Sequence, residues 1–170
     1  MLGGLLMIKI GNVTAVDEKK CKVRVKFYES DLISAWIPVI VKGSLKNKDY
    51  WIPSVNEHVV VVYTEQKVGA VIGAIYSEAD TTPIMDKNKR HMLFEDGTFL
   101  EYDFKEKKVT IDCKGEIKIT TANKITIDCA SAINISAAEN VNVTGDVIAD
   151  GISLKNHTHP ETQGTTLKPI

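Results

Sequence analysis

The residues best suited to chemistry stand close together in the stretch "NHTHP", residues 156–160. Only four histidines occur in 170 residues, and two of them flank a single threonine here. In an extended strand, residues i and i+2 point to the same side, so His157 and His159 project together while Thr158 faces away. Neutral imidazole is a common metal ligand. A His-x-His pair on one chain offers only two nitrogens, and taken alone it reads as two solvated tail residues. Three copies around a common axis would offer six nitrogens. Six nitrogen donors suit an octahedral first-row transition ion better than zinc, which usually takes four ligands. Whether three copies meet depends on what precedes the pair.

What precedes it is a repeat. Aligned on apolar pairs, the chain reads Val109-x-Ile111, Ile117-x-Ile119, Ile125-x-Ile127, Ile133-x-Ile135 and Val141-x-Val143, every eight residues without a slip. The residues between the paired positions are Thr110, Lys118, Thr126, Asn134 and Asn142, all polar. Each octad therefore holds one short strand with two inward β-branched side chains and one outward polar one. The remainder of each octad is small or polar, as in "TTANK" and "DCASA".

Eight residues are too few to close one coil of a single-chain β-solenoid, and five octads give fewer than two such coils, too thin to bury a core. An antiparallel meander is permissible by length. Its junctions lack the Asn-Gly and Asp-Gly pairs that tight hairpins prefer, and it would leave one isoleucine face bare. Three chains winding around one axis remove both problems. Each octad would cross one face of a triangular prism, with the Ile/Val pairs of all three chains along its axis. With layers ~4.8 Å apart, five octads predict a rod on the order of 25 Å long.

The first half has a different pattern. In "CKVRVKFY", Val23, Val25 and Phe27 alternate with Lys22, Arg24 and Lys26, the period-2 signature of a strand with one buried face. "NVTAVD", "AWIPVIV", "EHVVVVYT" and "VGAVIGAIY" supply four more β-rich runs, separated by turn-like segments. Helical periodicity is absent, and five short strands suit a small barrel or sandwich. A polar linker, "SEADTTPIMDKNKR", leads to two apolar arms around Asp96-Gly97, a hairpin signal. The expected organisation is a small β-barrel or sandwich over 1–80, a linker and β-hairpin over 81–104, an octad-repeat shaft over 105–150 and a terminal segment over 151–170, all-β throughout.

Composition excludes several classes. Hydrophobic residues make up 44% and charged residues 25%, values ordinary for a folded protein. A formal net charge of −1 gives no general attraction to nucleic acid or anionic membrane. Lys9 interrupts the apolar start before signal-peptide length, and no run approaches the ~20 apolar residues of a membrane span. Cys21, Cys113 and Cys129 are too few and scattered for a disulfide framework. The expectation is a soluble protein made without a signal peptide in a reducing compartment. Cys113 and Cys129 share a repeat column with Thr121, Ala137 and Gly145, so packing is their expected role.

"GNVTAVD", "KVRVKFY", "AWIPVIV", "DYWIPSVNEHVVVVY" and "GAVIGAIY", followed by "FEDGTFLEYD" and then the octads, resemble the central spike, or baseplate assembly protein V, family of contractile phage tails and phage-tail-like bacteriocins. The resemblance implies an N-terminal OB-like barrel followed by an intertwined, triple-stranded β-helix with a metal-clamped tip. It implies a homotrimer that is structural and non-enzymatic. Such a protein binds the baseplate hub and tail-tube proteins, is assembled into the baseplate, and pierces the target cell envelope. The family also implies the apex chemistry. Some spike proteins hold iron by a His-x-His motif, so "HTH" would carry one Fe2+ ion per trimer, shared by six histidines from His157 and His159. Some relatives insert a lysozyme domain between barrel and shaft; here about twenty residues separate barrel and hairpin, which leaves no room for one.

The remaining candidates are weaker. His58 and His91 read as ordinary surface or interface residues. Lys22, Arg24 and Lys26 with Trp36, Tyr50 and Trp51 give an alternative, an OB-fold module for single-stranded nucleic acid, which uses basic grooves and aromatic stacking. Acidic Glu18, Glu29 and Asp31 lie near that stripe, and the aromatics sit in contexts that read as strand core, so nucleic acid is not the expected partner. His157, His159 and Glu161 suggest a cupin-like metal site, but the glutamate follows too soon and the later strands and histidine of a cupin are missing. No phosphate loop or nucleophile elbow occurs, so no catalytic residue is assigned.

Overall fold

Alternation in the first half becomes a curled sheet in the computed structural model, which describes residues 6–78, 80–158, 160–161 and 164–165. Its strands are β1 (Met7–Asp17), β2 (Lys22–Phe27), β3 (Ile37–Pro38), β4 (His58–Tyr63) and β5 (Gly69–Ala74). All pair antiparallel in the order β3-β2-β1-β4-β5. A parallel bridge between Val39 and Val71 brings the two edges together, and Ile40 N–H donates to the Val71 carbonyl at 2.8 Å. The sheet is thus nearly closed, as an OB-like barrel requires, and its edges are largely removed.

The inward residues are those that alternation selects. Val13, Val23, Val25, Phe27, Ile37, Val39, Val59, Val61 and Val71 form one buried cluster. Register shifts at Val13/Ala15 and Val60/Val61 add the local bend that closure needs. Gly11 allows the closest approach: a Cβ there would run into the Lys26 carbonyl oxygen across the β1–β2 pair.

The aromatics do not follow expectation. Trp36 and Tyr50 are exposed, and Trp51 is only half-buried, with its indole N–H donating to the Ile40 carbonyl at 3.3 Å. The narrow interior is filled by β-branched side chains and Phe27, leaving the indoles to lie against the outside.

Contacts divide the chain into two units, Met1–Ile117 and Lys118–Ile170. The first also holds a three-stranded antiparallel sheet of β6 (Lys89–Leu93), β7 (Phe99–Asp103) and β8 (Lys108–Asp112). The β6–β7 turn is built on Asp96-Gly97, where Asp96 accepts from Thr98 N–H at 2.8 Å. Strand β8 contains the first octad pair, Val109 and Ile111. A turn at 104–107, with Asp103 accepting from the N–H groups of Lys105 and Glu106, folds this octad back onto β7. The first octad therefore finds its strand partner within its own chain.

The later octads behave differently. Among the described residues, no backbone-to-backbone hydrogen bond involves residues 113–146, so the antiparallel meander is not formed. The backbone bends instead at 114–115, 122–123, 130–131 and 138–139, again every eight residues. Beyond the octads lie two short hairpins, β9 (Ile148–Ala149) with β10 (Ile152–Ser153), and β11 (Pro160–Glu161) with β12 (Gly164–Thr165). Asp150 and Gly151, at φ 48° and 81°, make the first of these tight turns in the left-handed conformation that an Asp-Gly pair favours.

Candidate functional site

Two features could carry function, the octad surface and the apex around His157. On the octads, all ten paired Ile/Val side chains from Val109 to Val143 are 56–74% exposed. Fully burying each is worth about 1.5–3 kcal/mol, and most of that is not realised within one chain. Among the described residues, the backbone groups of 113–146 are likewise left without backbone partners, an arrangement that favours addition of further strands. Local geometry repeats with the sequence: the Cys113 thiol lies 3.7 Å from the Glu116 carbonyl and the Cys129 thiol 3.4 Å from the Ala132 carbonyl. Both cysteines thus sit at the bends, as their small-residue column predicts.

The β6–β8 sheet divides by face. Met92, Leu100, Tyr102, Val109 and Ile111 are exposed on one side. On the other, half-buried, Lys89 Nζ lies 2.7 Å from Glu101 and 3.6 Å from Asp103, and His91 Nδ1 lies 3.0 Å from Glu101. His91 also stacks on Phe99, so it serves this network. The Lys89 hydrogen bond holds the Glu101 carboxyl below its ordinary range, and backbone N–H groups, Glu106 first, do the same for Asp103. Contact with Glu101 raises Lys89.

The signs give a pH prediction. Carboxylates depressed in the folded state stabilise it above their unfolded pKa of about 4 and lose that contribution as pH falls through their lower folded values. Lys89, raised when folded, contributes fully below about pH 10 and loses its contribution as pH rises through its folded value. Melting of this sheet should therefore be flat across neutral pH and decline below about pH 4. Lys89→Ala should move the acid limb to higher pH in a circular-dichroism titration. An unchanged acid limb would contradict the assignment.

At the apex, His157 Nδ1 lies 3.1 Å from the Ser153 carbonyl oxygen and 3.0 Å from that of Leu154. Carbonyl oxygens only accept, so these contacts are hydrogen bonds when Nδ1 carries the proton, and a neutral ring so protonated has its lone pair on Nε2. This is the tautomer of a metal-ligating histidine whose other N–H is held by a backbone carbonyl. The donor chemistry thus fits a transition ion. His159 lies outside the described residues. Among the described residues no three His, Cys, Asp or Glu side chains cluster as a metal site would need. Nothing in sequence periodicity pointed to the groups that hold His157. They are Asp146 and Ser153, whose hydroxyl donates to Asp146 at 2.5 Å, and this bond holds the Asp146 carboxyl below its ordinary range.

Other candidates are occupied locally. Arg24 lies over the Trp36 ring and donates through Nε to the Ser34 carbonyl at 3.2 Å, while Lys26 pairs with Asp31 at 3.1 Å. The basic stripe is therefore partly neutralised and its Trp face covered by a cation, which disfavours base stacking. His58 Nε2 lies 2.8 Å from the Tyr28 hydroxyl. No helix among the described residues is long and apolar enough to cross a membrane.

Residues 9–76 match the family model of the type VI secretion system/phage-baseplate injector OB domain. The chain is also 24% identical over 107 residues to the spike protein of Escherichia phage P2, an alignment covering 62% of this chain and 50% of that protein. The chain thus spans about half the length of the curated relative it matches.

Proposed function

We propose that this chain, whose residues 9–76 match the injector OB-domain family model, is the trimeric central spike of a contractile injection machine. Its role is structural and non-enzymatic. The barrel docks to the hub and tail tube of a phage tail or phage-tail-like bacteriocin, and the octads form a stiff shaft driven through the target envelope.

The observation that carries this reading is the state of residues 113–146. They bend every eight residues, expose every Ile/Val pair and make no backbone-to-backbone bond among the described residues. An intertwined triple-stranded β-helix supplies what is missing. Strands from two further copies take up the N–H and C=O groups, each bend becomes a corner of the prism, and the paired apolar side chains meet on the axis.

The apex is too narrow for an apolar core. His157 and His159 of three chains would instead supply six nitrogens to one Fe2+ ion on the axis, which when bound cross-links all three strands. The tautomer of His157 supports this assignment.

Light scattering coupled to size exclusion, with elemental analysis of the peak, tests both parts. A trimer carrying about one iron per three chains is expected, six donors filling one octahedral site. A monomer would overturn the spike, and a metal-free trimer would overturn the clamp alone.

A further inference from the structure

The apex hairpin is tied together by one carboxylate. Asp146 accepts from the Ser153 hydroxyl at 2.5 Å through one oxygen and from Lys155 N–H at 3.1 Å through the other. The Ser153 oxygen in turn accepts from Asn156, at 2.9 Å from its backbone N–H and 3.1 Å from its side-chain amide. This is the geometry of a helix N-cap, and the one turn it caps closes with His157 N–H donating to the Ser153 carbonyl at 3.0 Å. The imidazole of His157 then folds back, its Nδ1–H on the Ser153 and Leu154 carbonyls. The ring borders a cavity of about 270 Å³ that it shares with Val147, Ala149, Ile152 and Leu154.

We propose that Asp146 is a positioning residue for the apex metal: it fixes Ser153, Ser153 fixes the 153–157 turn, and that turn holds His157 with Nε2 as the donor. The inference rests on the reading of His157 as a ligand and extends it to a residue eleven positions upstream. Asp146 acts through Ser153 and Lys155, the groups whose hydrogen bonds it accepts. It acts by preparing the ligand before the ion arrives, so less ordering is left to be done on binding. Free histidine favours the opposite tautomer, with the proton on Nε2, so the preparation has a signature in metal-free protein.

Two readouts on the full-length chain test it, with Asp146→Ala and Ser153→Ala as variants. Both positions lie outside the barrel core and the octad pairs, so the trimer should persist. Competition of Fe2+ against a chelator should show affinity about ten- to a hundredfold weaker in each variant. Nitrogen-15 chemical shifts of neutral His157, recorded on metal-free protein, should report Nδ1–H in the wild type and a shift toward Nε2–H in the variants. Wild-type affinity in both variants would overturn the proposal, as would an Nε2–H ring in the metal-free wild type. A wild type that binds no iron would sink the ligand reading, and the tautomer measurement would then still decide the positioning role. A wild-type-like tautomer in the variants would refute that role.

Discussion

Ile125→Asp is expected to abolish the assembled trimer, leaving a chain whose barrel is folded and whose octads are open to protease. Ile125 and Ile127 form the middle octad pair, and the proposed symmetry would place three copies of the substituted residue on one axis. Three carboxylates there would be desolvated and mutually repelling, at an effective cost of several kcal/mol per ion. The damage is confined to assembly because the barrel core draws on none of these residues. Thr126→Asp makes the control. In the single chain both positions are exposed, so only assembly distinguishes the axial face from the outward one. A mass near three chains for Thr126→Asp and near one chain for Ile125→Asp is the expected pair of results. Equal behaviour of the two variants would contradict an axial Ile/Val column.

The second large effect belongs to the apex. The double variant His157→Ala/His159→Ala should lose essentially all iron, falling from about one ion per three chains to background. It should nevertheless remain trimeric, because in the proposed shaft the Ile/Val pairs of the later octads would hold the three chains together independently of the tip. Its C-terminal segment should become the first site of proteolysis, and chelation of the wild type should reproduce that sensitivity. Full iron content in the double variant would place the metal elsewhere and return "HTH" to an ordinary tail.

Legibility in the sequence tracked how local the governing physics is. Strands β1, β2, β4 and β5 and the Asp96-Gly97 turn follow from alternation and turn chemistry, and the structure forms each of them. The eight-residue period was visible as paired Ile and Val, and it reappears as bends at the same spacing. Trp36 and Tyr50 were misread because aromatic residues in a β context suggest a core, whereas barrel volume decides which side chains fit. The first octad was not separable from its successors by pattern. What sets it apart is the turn after Asp103, which returns Val109 and Ile111 to β7. Asp146 was invisible because its role arises only when a hairpin brings Ser153 and Lys155 to its carboxylate. His157 was singled out by type and spacing alone; the two carbonyls facing its Nδ1 needed coordinates.

The most direct test of the spike reading is hydrogen exchange of residues 113–146 in the purified, assembled protein. Among the described residues these amides have no backbone partner, so strong protection is the mark of added strands from other copies. Protection across the four later octads, rising to the level of the barrel strands and lost in Ile125→Asp, is the predicted result. Exchange through 113–146 at the rate of an unstructured peptide would contradict the triple-stranded shaft.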